Sequence, residues 1–234
     1  MTLMEKDLPL SPLLSLRERG KQKRRQAIKE AARQAFFELG YEQATTREIA
    51  NRAEVSPGTL FAYAPTKPEL LLMIINDDLE AMSAQEFEGA EEKPLMQLLL
   101  DFALPRYRYW RQLGPLARPA RQEILGLKMR AQPAGPEGWR SMERAPRILA
   151  ELAAIVAGKQ ALGSIRSEAS PASIAAVFWA IYYGEIERWL SSESPDVEDG
   201  LARLRELLVI AIQGVGADAA EYALPRRRKA AARA

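Results

Sequence analysis

The chain has 234 residues, enough for one helical domain or a small domain joined to a larger one, and 47% of them are hydrophobic, enough for a sizeable core. It holds no cysteine and no histidine, which excludes disulfides, thiol nucleophiles, imidazole bases, Ser-His-Asp triads and nearly every zinc or copper site. The net charge of +2 hides an asymmetry: residues 1–67 carry 12 basic and 8 acidic side chains, residues 68–225 carry 16 and 23, and residues 226–234 carry 5 and none. Basic ends around an acidic middle suggest that the N-terminal part meets a polyanion, although a solvated basic face would look the same. No paired-carboxylate motif, P-loop or G-x-G-x-x-G is present, so no enzyme, cofactor or metal is expected. No apolar run reaches the roughly 18 residues that span a bilayer, and "LPLSPLLSL" has its charges in the wrong order for a signal peptide. A cytoplasmic protein without a membrane partner is expected, with residues 1–20 as a disordered basic leader.

From Lys21 the pattern is helical, with Ile28, Ala31, Ala32, Ala35, Phe36 and Leu39 on one face and Gly40 as C-cap. Thr45 and Glu48 form a Thr-x-x-Glu box, so a second helix is expected over Thr46–Ala53, burying Ile49, Ala50 and Ala53. Ser56 caps a third helix over Pro57–Tyr63, with Pro57 at the first position, where its missing N–H costs nothing. Thr66 and Glu69 open a longer helix running to about Glu86. Two short helices joined by a tight turn and preceded by a basic cluster make a helix-turn-helix.

Helices are also expected over Pro94–Leu113, with a kink at Pro105, over "ARPARQEILGLKMR" ending near Arg130, and over Trp139–Val156, where Pro146 could restart the helix. "AQPAGPEG" reads as a loop. Ser170-Pro171 and Ser194-Pro195 open the last two helices. Their apolar stripes contain Ile174, Phe178, Ile181 and Trp189, then Leu201, Leu204, Leu208, Ala211 and Val215. These nine side chains could close a core within the chain or pair with a second copy as a four-helix bundle. No strand alternation and no internal repeat is visible, so the class is all-α: a three-helix helix-turn-helix domain at 21–67, a larger helical domain at 68–217 and a basic tail at 218–234, about nine helices in all.

The stretch "RRQAIKEAARQAFFELGYEQATTREIANRAEVSPGTLFAYAPTKPELLLMII", Arg24–Ile75, resembles the DNA-binding domain of the TetR family of bacterial transcriptional regulators. The resemblance implies a homodimer whose recognition helices enter successive major grooves of a near-palindromic double-stranded operator. It also implies a C-terminal domain that binds a small-molecule effector and then releases DNA. The positions of this chain that match the family's contacts are Thr46, Arg47, Ser56, Pro57, Gly58, Thr59, Phe61, Tyr63 and Lys67, and Arg24 joins them from the first helix. Their chemistry suits the role. The helix starts at Thr46 and Pro57 offer N–H groups to phosphate, and Gly58 allows close approach. Thr59, Tyr63 and Lys67 are phosphate donors, and Arg47 can read guanine. Ser56 as a cap alone and Tyr63 as half-buried packing are the bland alternatives. The basic residues Arg17, Arg19, Lys21, Lys23, Arg24 and Arg25 form either a DNA-following arm or a solvated leader.

Three departures stand out. Glu54 replaces a common turn glycine, which costs on the order of 1–2 kcal/mol if the position is left-handed. Phe61 and Ala62 replace hydroxyl or imidazole side chains, favouring apolar contact with thymine methyls. Ala64 replaces a large aromatic anchor. On the effector side, the aromatic residues are concentrated in the C-terminal part, where core is the commoner role. The expected pocket lining is Phe102, Tyr107, Trp110, Met129, Phe178 and Tyr182, implying an apolar or aromatic effector, with Arg106 either facing an effector carboxylate or exposed to solvent. Coupling is expected to run from the pocket into the helix that starts at Thr66. The competing function is a nonspecific or architectural DNA-binding helical protein without an effector.

Overall fold

The computed structural model describes residues 15–83, 87–129, 133 and 135–214, among which the chain forms nine α-helices, one single-turn 3-10 helix and no strand. They are α1 (Leu16–Leu39), α2 (Thr46–Arg52), α3 (Pro57–Tyr63), α4 (Lys67–Ser83), α5 (Leu95–Leu113), the 3-10 turn Gly114–Leu116, α6 (Ala117–Met129), α7 (Pro136–Ala161), α8 (Pro171–Leu190) and α9 (Val197–Gln213). Residues 1–14, Val215 and the tail 218–234 lie outside the described residues. By packing the chain divides into two units: the residues through 88 together with 108–150, and 89–107 together with 151 onward.

In the first unit, α1 buries Ile28, Ala31, Ala32, Ala35 and Phe36 along the stripe its spacing predicts. It packs on α2 and α4. The helix begins at Leu16 rather than at Lys21. Ser15 accepts from the Glu18 amide, and the Glu18 carboxylate accepts from the Ser15 amide at 2.9 Å, a complete capping box at residues read as leader. α4 is buried all round from Leu70 to Asn76. Its first turn carries Glu69, which is 1% exposed and accepts from the amides of Glu137 at 2.8 Å and Gly138 at 2.9 Å. Glu69 thereby satisfies the amides that the start of α7 leaves open. A Cβ on Gly138 would stand 2.6 Å from Pro133 Cβ and 3.1 Å from Glu69 Oε1, so the close seat requires glycine there.

α7 is longer than Trp139–Val156 at both ends and runs through Pro146 without restarting, as α5 runs through Pro105. Both prolines are exposed, where water can reach the carbonyl each one frees. A polar network joins α1, α4 and α7. Arg25 forms a paired contact with Asp77 at 2.7 and 2.9 Å and also reaches Glu137 at 2.7 Å, while Lys29 meets Asp77 at 2.9 Å. From α7, Arg140 reaches Asp77 at 2.6 Å and also meets Glu80 and Glu137, and Ser141 donates to the buried Asn76 at 2.7 Å. Burial works against the Asp77 charge, but hydrogen bonds from Arg25, Lys29 and Arg140 outweigh it and hold the carboxyl well below the usual carboxylate range.

In the second unit, α8 and α9 pack on each other. α9 opens on Asp196, whose side chain accepts from the amides of Glu198 and Asp199, and not on Ser194. An aspartate at the cap satisfies two amides and adds a favourable charge at the positive end of the helix. Gly200 lets the helices close, since a Cβ there would meet Tyr107 Cε1 at 2.5 Å and Trp189 Cδ1 at 2.7 Å.

Candidate DNA-binding surface

The turn between α2 and α3 is built from backbone bonds. The Glu54 amide donates to the Asn51 carbonyl at 3.1 Å and the Val55 amide to the Ala50 carbonyl at 3.0 Å, which is the Schellman pattern of a helix C-terminus. That pattern requires the residue after the cap to be left-handed, and Glu54 has φ +53°, the only positive φ of a non-glycine residue among the described residues. The conditional expectation for Glu54 is therefore met: glutamate occupies a position suited to glycine. α3 then starts on Ser56, whose Oγ accepts from the Thr59 amide at 3.1 Å and shares a 2.9 Å hydrogen bond with the Thr59 hydroxyl.

Leu60 and Ala64, both 0% exposed, anchor the inner side of α3, so a methyl group stands in the core at the position where the resemblance implies a large aromatic. The outer side carries Ser56, Pro57, Gly58 and Phe61, all exposed, and Phe61 retains 47% of its surface. Nothing lies within 4 Å of a Cβ built on Gly58, so packing inside the chain does not demand glycine there. Arg24 and Arg47 are exposed, and Thr46 and Thr59 are half-buried.

Two expected phosphate donors are engaged within the chain. The Lys67 ammonium donates to the carbonyls of Tyr41 at 2.9 Å and Glu42 at 3.0 Å and lies 4.7 Å from the Tyr41 ring centroid, closing the loop between α1 and α2. The Tyr63 hydroxyl donates to the Lys21 carbonyl at 3.2 Å, a link between the end of α3 and α1. Arg25 belongs to the Asp77 network and not to a basic arm.

The expected effector residues separate. Phe102, Arg106, Tyr107, Phe178 and Tyr182 belong to the second unit, while Trp110 and Met129 belong to the first. The rings of Phe102 and Tyr182 meet edge to face at 5.2 Å, and the Arg106 guanidinium lies 3.7 Å from the Phe102 centroid and donates to the Phe102 carbonyl. Arg106 is buried, which corrects the solvent-exposed alternative, and burial pushes its pKa down to about 10, leaving it charged near neutral pH. Trp110 packs under Arg121, and Met129 is 85% exposed at the end of α6. A pocket of about 390 Å3 in the second unit is lined by Ala90, Glu91, Ala154, Ile155, Gly158, Lys159 and Leu162, none of which the sequence had singled out.

The dimer candidates divide as well. Phe178, Trp189, Leu204 and Leu208 are buried within one chain. Ile174, Ile181, Leu201 and Ala211 stay half-buried, and Val177, Ile210 and Ile212 are exposed beside them.

Residues 28–74, which hold this turn and recognition helix, match the family model described as bacterial regulatory proteins, tetR family. These residues form a TetR-type helix-turn-helix DNA-binding domain. It is 27% identical over 201 residues to the HTH-type transcriptional regulator TcmR of Streptomyces glaucescens, covering 78% of this chain and 80% of that one. The HTH-type transcriptional repressor KstR of Rhodococcus jostii is 32% identical over 87 residues, 36% of this chain and 41% of that one. The fold of FadR from Bacillus subtilis, solved in complex with stearoyl-CoA, superposes with a TM-score of 0.60 at 18% identity, covering 81% of this chain and 98% of that one. TcmR and FadR are thus transcriptional regulators and KstR a transcriptional repressor. Among the described residues no helix is long and apolar enough to cross a membrane.

Proposed function

We propose that this chain is a homodimeric TetR-family repressor that binds a near-palindromic operator through residues 21–67 and is released by a small apolar or aromatic effector held by residues 68–217. The observation that carries the proposal is α3 itself: a short helix anchored on one side by Leu60 and Ala64 and exposing Phe61 with Ser56, Pro57 and Gly58 on the other. Phe61 stands on the outer side of α3, where a thymine methyl in the major groove would meet it. Arg24, Thr46, Arg47 and Thr59 complete the proposed contact set, with Arg47 the candidate for guanine or phosphate. Tyr63 and Lys67 act by holding neighbouring elements.

The effector reading rests on Phe102, Arg106, Tyr107, Phe178 and Tyr182: buried or half-buried aromatics beside a buried cation suit an apolar molecule carrying an acidic group. The stearoyl-CoA seen in the Bacillus subtilis neighbour is a molecule of that kind. Release requires the effector to bind the low-affinity conformation more tightly, by roughly 5.5 kcal/mol to invert a 99:1 population. Selection of bound duplexes from a random pool tests the DNA side. The expected product is a palindrome with half-sites about one turn or a multiple apart, preferred over random DNA by about 10³ or more. Enrichment of no sequence would favour a nonspecific DNA-binding protein instead.

A further inference from the structure

α1 continues well beyond the residues it buries. Ile28 is its first fully buried side chain, yet the helix extends back to Leu16 behind the Ser15–Glu18 capping box. Helical spacing places Arg17, Lys21, Arg24 and Ile28 on one face, so the stripe that is apolar against the core becomes basic where the helix overruns it. That stripe is tied to the recognition helix, because the Tyr63 hydroxyl at the end of α3 donates to the Lys21 carbonyl at 3.2 Å.

The charges sort in the same way. Arg25 and Lys29 turn to the carboxylates of α4 and α7. Arg17, Arg19, Lys21, Lys23 and Arg24 make no ion pair among the described residues, and the one acidic residue of the overrun, Glu18, is occupied in the cap. Leu16 is the only large apolar side chain exposed on the overrun, so it lacks the apolar face of a membrane-surface helix.

We propose that residues 16–24 are a preformed basic arm that grips the phosphate backbone beside the bases facing α3, with Arg17, Lys21 and Arg24 toward the DNA and Tyr63 as the residue that positions the arm. The inference rests on the DNA-binding reading above. Nine helical residues span about 13 Å, comparable to the ~12 Å width of a major groove. A preformed helix reaches those phosphates without the ordering cost that a flexible tail would meet on each binding event.

The test uses the full chain, the operator from the random-pool selection and an unrelated duplex, with affinities measured between 50 and 200 mM salt. Arg17→Ala with Lys21→Ala should lower the slope of log affinity against log salt by about 2–4 for a dimer, at about 0.9 per phosphate contact, and weaken both duplexes alike. Arg19→Ala with Lys23→Ala removes the same charge from the opposite face and should change the slope by less than half as much. Gly20→Pro keeps every charge but breaks the helix ahead of Lys21, releasing Arg17, and should reproduce about half of the first loss. Tyr63→Phe keeps the ring and should lower the slope with every basic residue in place. An unchanged slope in the first pair, equal losses in both pairs, or a wild-type slope for Gly20→Pro overturns the preformed arm. An unchanged slope for Tyr63→Phe overturns the positioning role. A wild-type protein that prefers no sequence overturns the repressor reading instead, and that result is visible before any variant is made.

Discussion

Glu54 shows how one residue can satisfy a backbone pattern and strain it together. Its amide and that of Val55 complete the Schellman turn, but its φ of +53° suits glycine better than a side chain with a Cβ. Glu54→Gly should therefore raise thermal stability by roughly 1 kcal/mol, less than the full ~1–2 kcal/mol strain because glycine also loosens the unfolded chain. It should also tighten binding to every duplex by removing a negative charge close to the recognition helix. A lower melting temperature would show that the glutamate side chain stabilises the turn. Lys67 illustrates the reverse case, a family-matched position with a structural duty in this chain. With its ammonium on two carbonyls, Lys67→Ala should lower stability by about 1.5–3 kcal/mol while leaving the salt slope of DNA binding unchanged. A slope reduced by about 0.9 per half-site would restore the phosphate role instead.

At the scale of elements, the helix-turn-helix was legible because local chemistry decides it. Thr45 and Ser56 cap α2 and α3, Pro57 sits where a missing N–H is harmless, and the Ile28–Phe36 stripe has helical spacing. The start of α1 was not read, because Ser15 and Glu18 form their box inside a segment whose two prolines and basic charge suggested a leader. The network around Asp77 left no mark in any local pattern, since Arg25, Asp77 and Arg140 are far apart in sequence and meet only when α1, α4 and α7 assemble. Its contribution depends on pH. The Asp77 carboxyl titrates lower in the folded chain than in the unfolded one, so its stabilisation is complete above about pH 4 and is lost as the pH falls through the folded value. Asp77→Asn should cost on the order of 2 kcal/mol at pH 7, less than the ~3–5 kcal/mol of a fully buried pair because Arg25 and Arg140 keep 29% and 30% of their side-chain surface. The difference between wild type and variant, followed by denaturant titration, should shrink as the pH drops below 4. A constant difference from pH 7 to pH 3 would place the energy in packing instead.

For the whole molecule, the question is which apolar side chains remain once each chain has closed its own core. Equivalent-looking stripe positions on α8 and α9 take opposite fates, which periodicity alone could not assign: Phe178, Trp189, Leu204 and Leu208 turn inward, whereas Val177 is 51% exposed and Ile210 is 42% exposed. The half-buried Ile174, Ile181 and Leu201 extend the outward set. A stable homodimer needs roughly 600–1,000 Å2 covered on each copy, and two helices with several such side chains can supply it. A charge at Val177 or Ile210 can reach water within one chain, so Val177→Asp with Ile210→Asp should leave the isolated chain helical and folded while the protein elutes as a monomer. Loss of the dimer removes the advantage of engaging both half-sites from one particle, a gain of about 10²–10⁴. Affinity for the full palindrome should fall by at least about 100-fold, and affinity for a single half-site should hardly move. Leu204→Asp is the contrasting variant: its side chain is 1% exposed, so it should unfold the unit outright instead of parting two copies. If the double aspartate variant remained dimeric, the outward face of α8 and α9 would not be the surface of the proposed homodimer.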